Sequence, residues 1–360
     1  MTFSISVPIG AYHPFLRHNL ASLAAQITDA NGVELAIAFL DASGDNRVRE
    51  IADEFDSMLA YRRHGPDGGQ SDAIVEGWNN CPGDILGWLN ADDILFPGAL
   101  SKAAAAFSAN PAIDVVYGHS IIIDDDFRAT GYHWAVEPPG PRLLEAGIIS
   151  QPSCFFRRSA YERAGGLDCD LHYTMDWELW IKLFKSGAQF EFIEDVLSLV
   201  LWSDDTKTSS FNQQRRDEIN AIIRSNLDER SSRRVFRSFA VHHVLEKIRP
   251  KPLRRFISRQ LVRGRNAING ISGDGMIQDG AFLKLVHYEQ KPARSALIKL
   301  DNPASIDNVS AVGATVSSVT RSDDTISLQF EEPVTPATTL ELCFSTNEHK
   351  APYLHSAEWK

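Results

Sequence analysis

The sequence predicts an α/β protein: a doubly wound, mostly parallel sheet, followed by a helical linker and an antiparallel β-sandwich. Three observations lead there. Strand and helix patterns alternate through the first half, the arrangement that builds parallel sheets. The pattern turns helical and basic over residues 211–265. After that, short runs with apolar residues at every second position are punctuated by Gly, Pro, Asn and Asp, as in sandwiches. The expected units are 1–210, 211–265 and 266–360.

Residues 3–7 are the first strand, and 14–26 show helical spacing through Phe15, Leu16, Leu20 and Leu23. The apolar run 33–40 ends at Asp41, and after the loop ASGDN a helix spans 47–58. Residues 84–89 form a strand that runs into the loop NADD, then a helix over 97–109 and a strand over 114–118. In such sheets ligands sit outside the carboxyl ends of the strands. Asp41 and the 90–93 cluster both fall there. In the last segment, Ile326, Leu328 and Phe330 alternate with polar neighbours, as do Leu340, Leu342 and Phe344, and runs at 281–286 and 296–300 are similar.

Composition excludes several classes. Apolar residues make up 43% and charged residues 23% of 360, enough for a full core and against disorder. Acids outnumber bases 47 to 36, which argues against nucleic acid as a partner. The four cysteines (Cys81, Cys154, Cys169, Cys343) show neither metal nor disulfide-framework spacing and read as reduced thiols of a cytoplasmic protein. No apolar run of about 20 residues is long enough to span a bilayer as a helix. The N-terminal residues read as a core strand, not a secretory signal.

Two segments carry chemistry. In GDILGWLNADDILFPGAL a strand delivers Asn90, Asp92 and Asp93 to a helix start. Adjacent carboxylates repel, so such a pair is commonly held by a hard cation that shares its site with phosphate; a solvated loop with a helix cap is the bland alternative. GPDGGQSDAIVEGWNN places Asp67, Gln70 and Asp72 with glycines before a helix, where backbone can approach a ligand closely. No Gly-Lys-Ser/Thr follows, so it is not a Walker loop. A turn that caps a helix explains it equally well.

Four stretches in order, SVPIGAYHPFLRHNLASLAAQ, FLDASGDN, GPDGGQSDAIVEGWNNCPGDILGWLNADD and QPSCFFRRSAYERAGGLDCDLHYTMDWELWIKL, resemble the family 2 glycosyltransferases over about residues 3–210. The nearest likeness is to bacterial members that build surface polysaccharides. The resemblance implies the GT-A fold and an inverting transfer from a nucleotide-sugar, usually a UDP-sugar, to a glycan or lipid-linked acceptor. It implies that Pro8, Ile9 and Gly10 line the base, that Asp41 hydrogen-bonds it, and that Asp67, Gln70 and Asp72 flank base and ribose. It implies Mg²⁺ or Mn²⁺ at Asp92 and Asp93, with Asp93 the direct ligand, and Asp176 as catalytic base. Asp176 opens a helical pattern (Trp177, Trp180, Ile181, Phe184), where N–H groups are expected to keep it ionised. Trp180 reads as core, and Trp177 as core or sugar platform.

The sequence departs from the family pattern at Asn90, often Asp; at Met175, often Glu; and at Ser203, often His, for which Asp204, Asp205 or Lys207 are substitutes. Gln151, Pro152, Arg157 and Arg158 lie near sugar and acceptor in relatives, or are a strand with two solvated arginines. Between residues 230 and 265, twelve Lys/Arg stand against Glu246, giving +11 and leaving −22 elsewhere. That stretch docks on an anionic membrane surface, making the protein peripheral, or pairs within the chain. In the last segment Tyr288, Tyr353 and Trp359 are sugar platforms if exposed. The rivals are a sugar-nucleotide nucleotidyltransferase, which wants a basic phosphate loop that VPIGAYHP lacks, and a non-catalytic glycan-binding or scaffold protein retaining the fold.

Overall fold

The computed structural model describes residues 1–28, 33–133, 135, 139–203, 212–246, 267–288, 292–347 and 352–360. Asp204, Asp205 and Lys207, and residues 247–265 of the basic stretch, lie outside the described residues.

The first half builds β1 (Thr2–Ile9), α1 (Leu16–Thr28), β2 (Glu34–Asp41), α2 (Asn46–Glu54), β3 (Leu59–His64), α3 (Gln70–Asn80) and β4 (Ile85–Trp88). Strands β3, β2, β1 and β4 lie side by side and parallel, as the alternation predicts. β1 is central and buried along its whole length after Thr2, and its buried Ser4 and Ser6 donate to Cys81 O and Ile74 O. Its pairing with β4 stops at Ser6, two residues short of Pro8, whose missing N–H would otherwise break a ladder.

Next come β5 (Ile94–Leu95), α4 (Ala99–Ala109), β6 (Val115–Ile123), β7 (Ala129–His133), β8 (Cys154–Arg157), α5 (Arg158–Arg163), α6 (Met175–Lys185) and β9 (Phe190–Leu201). β8 inserts antiparallel between β4 and β6, so the sheet is mixed beyond β4. Arg157 and Arg158 are half-buried and bonded to backbone, which overturns the reading of two solvated arginines. Arg157 donates to Phe107 O and Ile113 O, and Arg158 to Trp78 O and Cys81 O, satisfying carbonyls at the ends of α4 and α3.

The expected linker is helical where described, with α7 (Gln213–Asn226) and α8 (Glu229–Glu246), but it is packed. Ile219, Ile222, Ile223 and Val235 share a core with Trp88, Trp177 and Trp180. On α8, Arg234 pairs with Glu145 at 3.1 Å, and Arg233 pairs with Glu229 of its own helix.

The last segment forms β10 (Phe282–Val286), β11 (Ala293–Asp301), β12 (Ile306–Val312), β13 (Val316–Arg321), β14 (Thr325–Val334), β15 (Thr339–Thr346) and β16 (Tyr353–Trp359). Two antiparallel layers, β13-β14-β11-β16 and β10-β15-β12, share one core. The first layer continues the main sheet through the bridge Ala357 to Ala129, giving thirteen strands among the described residues. Leu283, Leu328 and Leu342 are buried in the same cluster as Ile94, Ile121 and Leu199. Tyr288 is buried and donates its hydroxyl to Leu95 O at 2.8 Å, a structural role that removes it as a sugar platform.

Candidate active site

The turn after β4 is held from α1. Asn19, Ser22 and Gln26 recur at helical spacing and are buried. Asn19 Nδ2 donates to Asn90 O at 2.7 Å and Asp93 O at 2.9 Å. Ser22 Oγ accepts from Leu95 N at 3.0 Å, and Gln26 spans Phe96 O and Leu100 N. A polar stripe on an otherwise apolar helix face therefore fixes the backbone of the whole acidic turn. Sequence reasoning missed these residues; the signal was polar residues recurring beside Leu16, Leu20 and Leu23.

Asp41 ends β2 and is 1% exposed. Its Oδ1 accepts from Ser43 N at 2.9 Å and Ser43 Oγ at 2.5 Å, and its Oδ2 from His64 Nδ1 at 2.6 Å. Arg62 Nε donates to His64 Nε2 at 2.6 Å, which fits the Nδ1–H tautomer. Of the expected base-lining residues before it, Pro8 and Ile9 are buried and Gly10 is exposed.

The glycine loop before α3 is tied by Arg63, which pairs with Asp67 at 3.0 Å and Glu76 at 2.8 Å and donates to Gly65 O. Asp67 Oδ1 accepts from Gly69 N at 3.0 Å. Gly69 precedes the helix at φ 135°, a conformation that needs glycine. Asp72, exposed in the first turn of α3, folds over Gly68, where a Cβ would stand 2.2 Å from its Oδ2. The thiol of Cys169 is hydrogen-bonded to Asp72; burial first, then that bond, pushes the thiol up to about 11.

Asn90 is the hub of the site. Its Oδ1 accepts from Gln70 Nε2 at 2.7 Å, and its Nδ2 donates to Asp93 Oδ2 at 3.0 Å and to Gln151 Oε1 at 3.2 Å. Gln151 Nε2 donates in turn to Trp88 O at 2.8 Å. Asp93 is 4% exposed, and Asp92 beside it is half-buried. Burial, then the charge of Asp92, pushes the Asp93 carboxyl well above the usual range, against hydrogen bonds from Asn90 and the backbone of Leu201. Among the described residues no lysine or arginine forms an ion pair with Asp93, and no three His, Cys, Asp or Glu are grouped to hold a metal. Two adjacent carboxylates, one of them buried, nevertheless fit a hard divalent cation whose remaining ligands come from water and phosphate. His13 faces the same turn; burial lowers its pKa, and the charges of Asp92 and Asp125 oppose that.

Asp176 lies in the first turn of α6 and is half-buried. Its Oδ1 accepts from Trp177 N at 2.7 Å. Burial, the largest influence, raises its pKa and outweighs the Trp177 and Asp176 N–H groups and the charge of Arg215, which favour its ionised form. Met175 is buried and accepts from Ser71 Oγ at 2.8 Å, so its side chain packs the α3–α6 contact. Trp177 is 5% exposed and donates to Leu143 O at 2.6 Å, which makes it core; Trp180, stacked on Trp88, is core as expected.

Asp41, Gln70, Asp92, Asp93 and Asp176 thus gather where β1, β2 and β4 end, with the starts of α3 and α6 closing the ring.

Residues 4–165 match the model of the family described as Glycosyl transferase family 2. The chain is similar to the O-antigen biosynthesis protein RfbC of Myxococcus xanthus, 27% identical over 198 residues, covering 54% of this chain and 15% of that protein. It is also similar to an uncharacterized glycosyltransferase of Rickettsia felis, 25% identical over 206 residues, covering 54% and 33%. The chain therefore spans a third or less of these relatives' lengths. Among solved structures, S. aureus TarS 1–349 in complex with UDP-GlcNAc overlaps 73% of this chain and 76% of its own, at 16% identity and a TM-score of 0.49.

Proposed function

From the premise of a family 2 glycosyltransferase domain at residues 4–165, we propose that the chain is an inverting glycosyltransferase. It moves a sugar from a nucleoside-diphosphate donor, a UDP-sugar first among them, to a hydroxyl of a glycan or lipid-linked acceptor in polysaccharide biosynthesis. One geometric observation supports this most. Gln70 reaches Asn90 at 2.7 Å and Ser71 reaches Met175 at 2.8 Å, so the start of α3 stands between the Asp92–Asp93 turn and the helix bearing Asp176.

In this reading Asp176 accepts the proton of the acceptor hydroxyl as its oxygen bonds to the anomeric carbon. Attack comes from the face opposite the diphosphate, whose C–O bond breaks as the nucleoside diphosphate leaves. The raised pKa of Asp176 makes it a stronger base than a solvated aspartate. Asp92 and Asp93 would hold Mg²⁺ or Mn²⁺, which when bound neutralises charge on the leaving diphosphate. Pro8, Ile9, Gly10 and Asp41 would line the base, and Asp67, Gln70 and Asp72 the ribose. The exposed Arg233 and Arg237 of α8 would face an anionic membrane surface.

Calorimetric titration of UDP, GDP and dTDP, each with Mn²⁺ and with EDTA, tests the donor site. Metal-dependent binding of one nucleotide is expected. Binding of none would favour a glycan-binding scaffold.

A further inference from the structure

Helix α7, like the helix that carries Asp176, lies beyond the segment that matches the family model, and it grips the start of that helix. Glu218 of α7 is 8% exposed. Its Oε1 accepts from His172 N at 3.1 Å, and its Oε2 from Tyr173 N at 2.8 Å, Thr174 N at 3.1 Å and Thr174 Oγ1 at 3.1 Å. Three consecutive backbone N–H groups thus converge on one buried carboxylate. Charge-assisted bonds of this kind are stronger than neutral ones and set the backbone's direction.

Thr174 stands at the N-cap of α6, where a threonine ordinarily caps its own helix. Here it makes no side-chain cap, and its hydroxyl goes to Glu218. Asn212, the N-cap of α7, donates to Tyr173 Oη at 2.5 Å, a second tie between the same segments. The residues held in this way end one position before Met175, and Asp176 follows. The charge of Arg215, one turn before Glu218, also acts on the Asp176 carboxyl.

We propose that Glu218 is a positioning residue for Asp176, fixing residues 172–174 so that the first turn of α6 presents that carboxylate to the acceptor hydroxyl. The proposal rests on the reading of Asp176 as the base. It assigns to α7 a part in the reaction, beyond covering the core.

The test is a double-mutant cycle on the full chain. The rate of nucleoside diphosphate release is measured with Mn²⁺ for a panel of UDP-, GDP- and dTDP-sugars, and the affinity of the matching nucleoside diphosphate by calorimetry. Glu218→Gln keeps the shape but replaces an acceptor oxygen by a donor. It should lower kcat by about 10-fold or more, since small misplacements of reacting groups are costly. Nucleotide affinity should stay within about twofold, the margin of independent sites. In an Asp176→Asn background Glu218→Gln should cost less than about twofold further, because a residue acting through Asp176 has nothing left to position.

Wild-type kcat in Glu218→Gln, or a full multiplicative loss on top of Asp176→Asn, would overturn the proposal and leave the base assignment standing. If Asp176→Asn leaves turnover unchanged, or no nucleotide sugar is turned over, the transferase reading fails and the proposal with it. Should Glu218→Gln not fold, Thr174→Val, which removes the hydroxyl donor, carries the same comparison: a lower kcat at constant nucleotide affinity supports the proposal, and an unchanged kcat overturns it.

Discussion

Asn90 Nδ2 donates to Asp93 Oδ2 at 3.0 Å across the turn that follows β4. An aspartate here would set two carboxylates in contact in a site where burial already opposes the ionisation of Asp93. The amide avoids that clash and also joins Gln70 and Gln151. The departure from the commoner acidic residue is thus compatible with a working site, because every polar atom of the Asn90 side chain is used.

Asn90→Asp is therefore expected to destabilise the protein in EDTA by about 1–3 kcal/mol, the scale of a lost charge-assisted bond. Urea unfolding reads it out. Unchanged stability would mean that the turn relaxes away from the contact.

The direction of the Asp176 shift fixes a pH dependence. A base must be deprotonated, and burial raises the pKa of Asp176. The rate should climb with pH through a limb lying above about 3.9, the value of a solvated aspartate. The residual rate of Asp176→Asn should lack that limb. A limb at or below the ordinary value would contradict the burial argument.

Asp195 joins the two halves of the molecule. It pairs with Lys102 of α4 and Lys284 of β10, each at 2.6 Å. Burial is the largest single influence and opposes its ionisation, but hydrogen bonds from Lys102 and Lys284, the charge of Lys102 and the Val196 N–H together outweigh it and lower its pKa. A depressed folded-state pKa stabilises above the unfolded value of about 3.9, and that contribution is lost as pH falls through the lower folded value. Asp195→Asn should cost about 1–3 kcal/mol at neutral pH, with the difference from wild type vanishing in acid. Calorimetric melting across pH checks both.

Gly77 places α3 on the sheet: a Cβ there would meet Ser6 Oγ at 2.3 Å and Ala38 Cβ at 2.9 Å. Gly77→Ala should destabilise by about 1–3 kcal/mol through overpacking. Because α3 carries Gln70 at its start, nucleotide affinity should fall with it. Unchanged stability and affinity would show that α3 can shift freely.

The parallel strands β1, β2 and β4 were legible because each is buried and rich in apolar residues, and they match the expected spans within about two residues, the usual error at element ends. β3 was not, since its sequence, LAYRRH, is half-buried and mostly polar. The alternation in β14 and β15 announced a sandwich, but periodicity is local and does not report that β16 meets β7. Asp41, Asp92, Asp93 and Asp176 could be picked from motif and position. Asn19, Glu218 and His64 could not, because their partners lie 23 to 74 residues away, and only the fold brings them together.

The central claim is that Asp176 takes the acceptor's proton in a nucleotide-sugar transfer, and one comparison tests it most directly. Nucleoside diphosphate release is measured for wild type and Asp176→Asn with Mn²⁺, alongside the affinity of each for the same nucleotide. A rate lower by about 10² or more with affinity held is the predicted result, the scale of a lost general base. Equal rates, or affinity lost in parallel with rate, would contradict it.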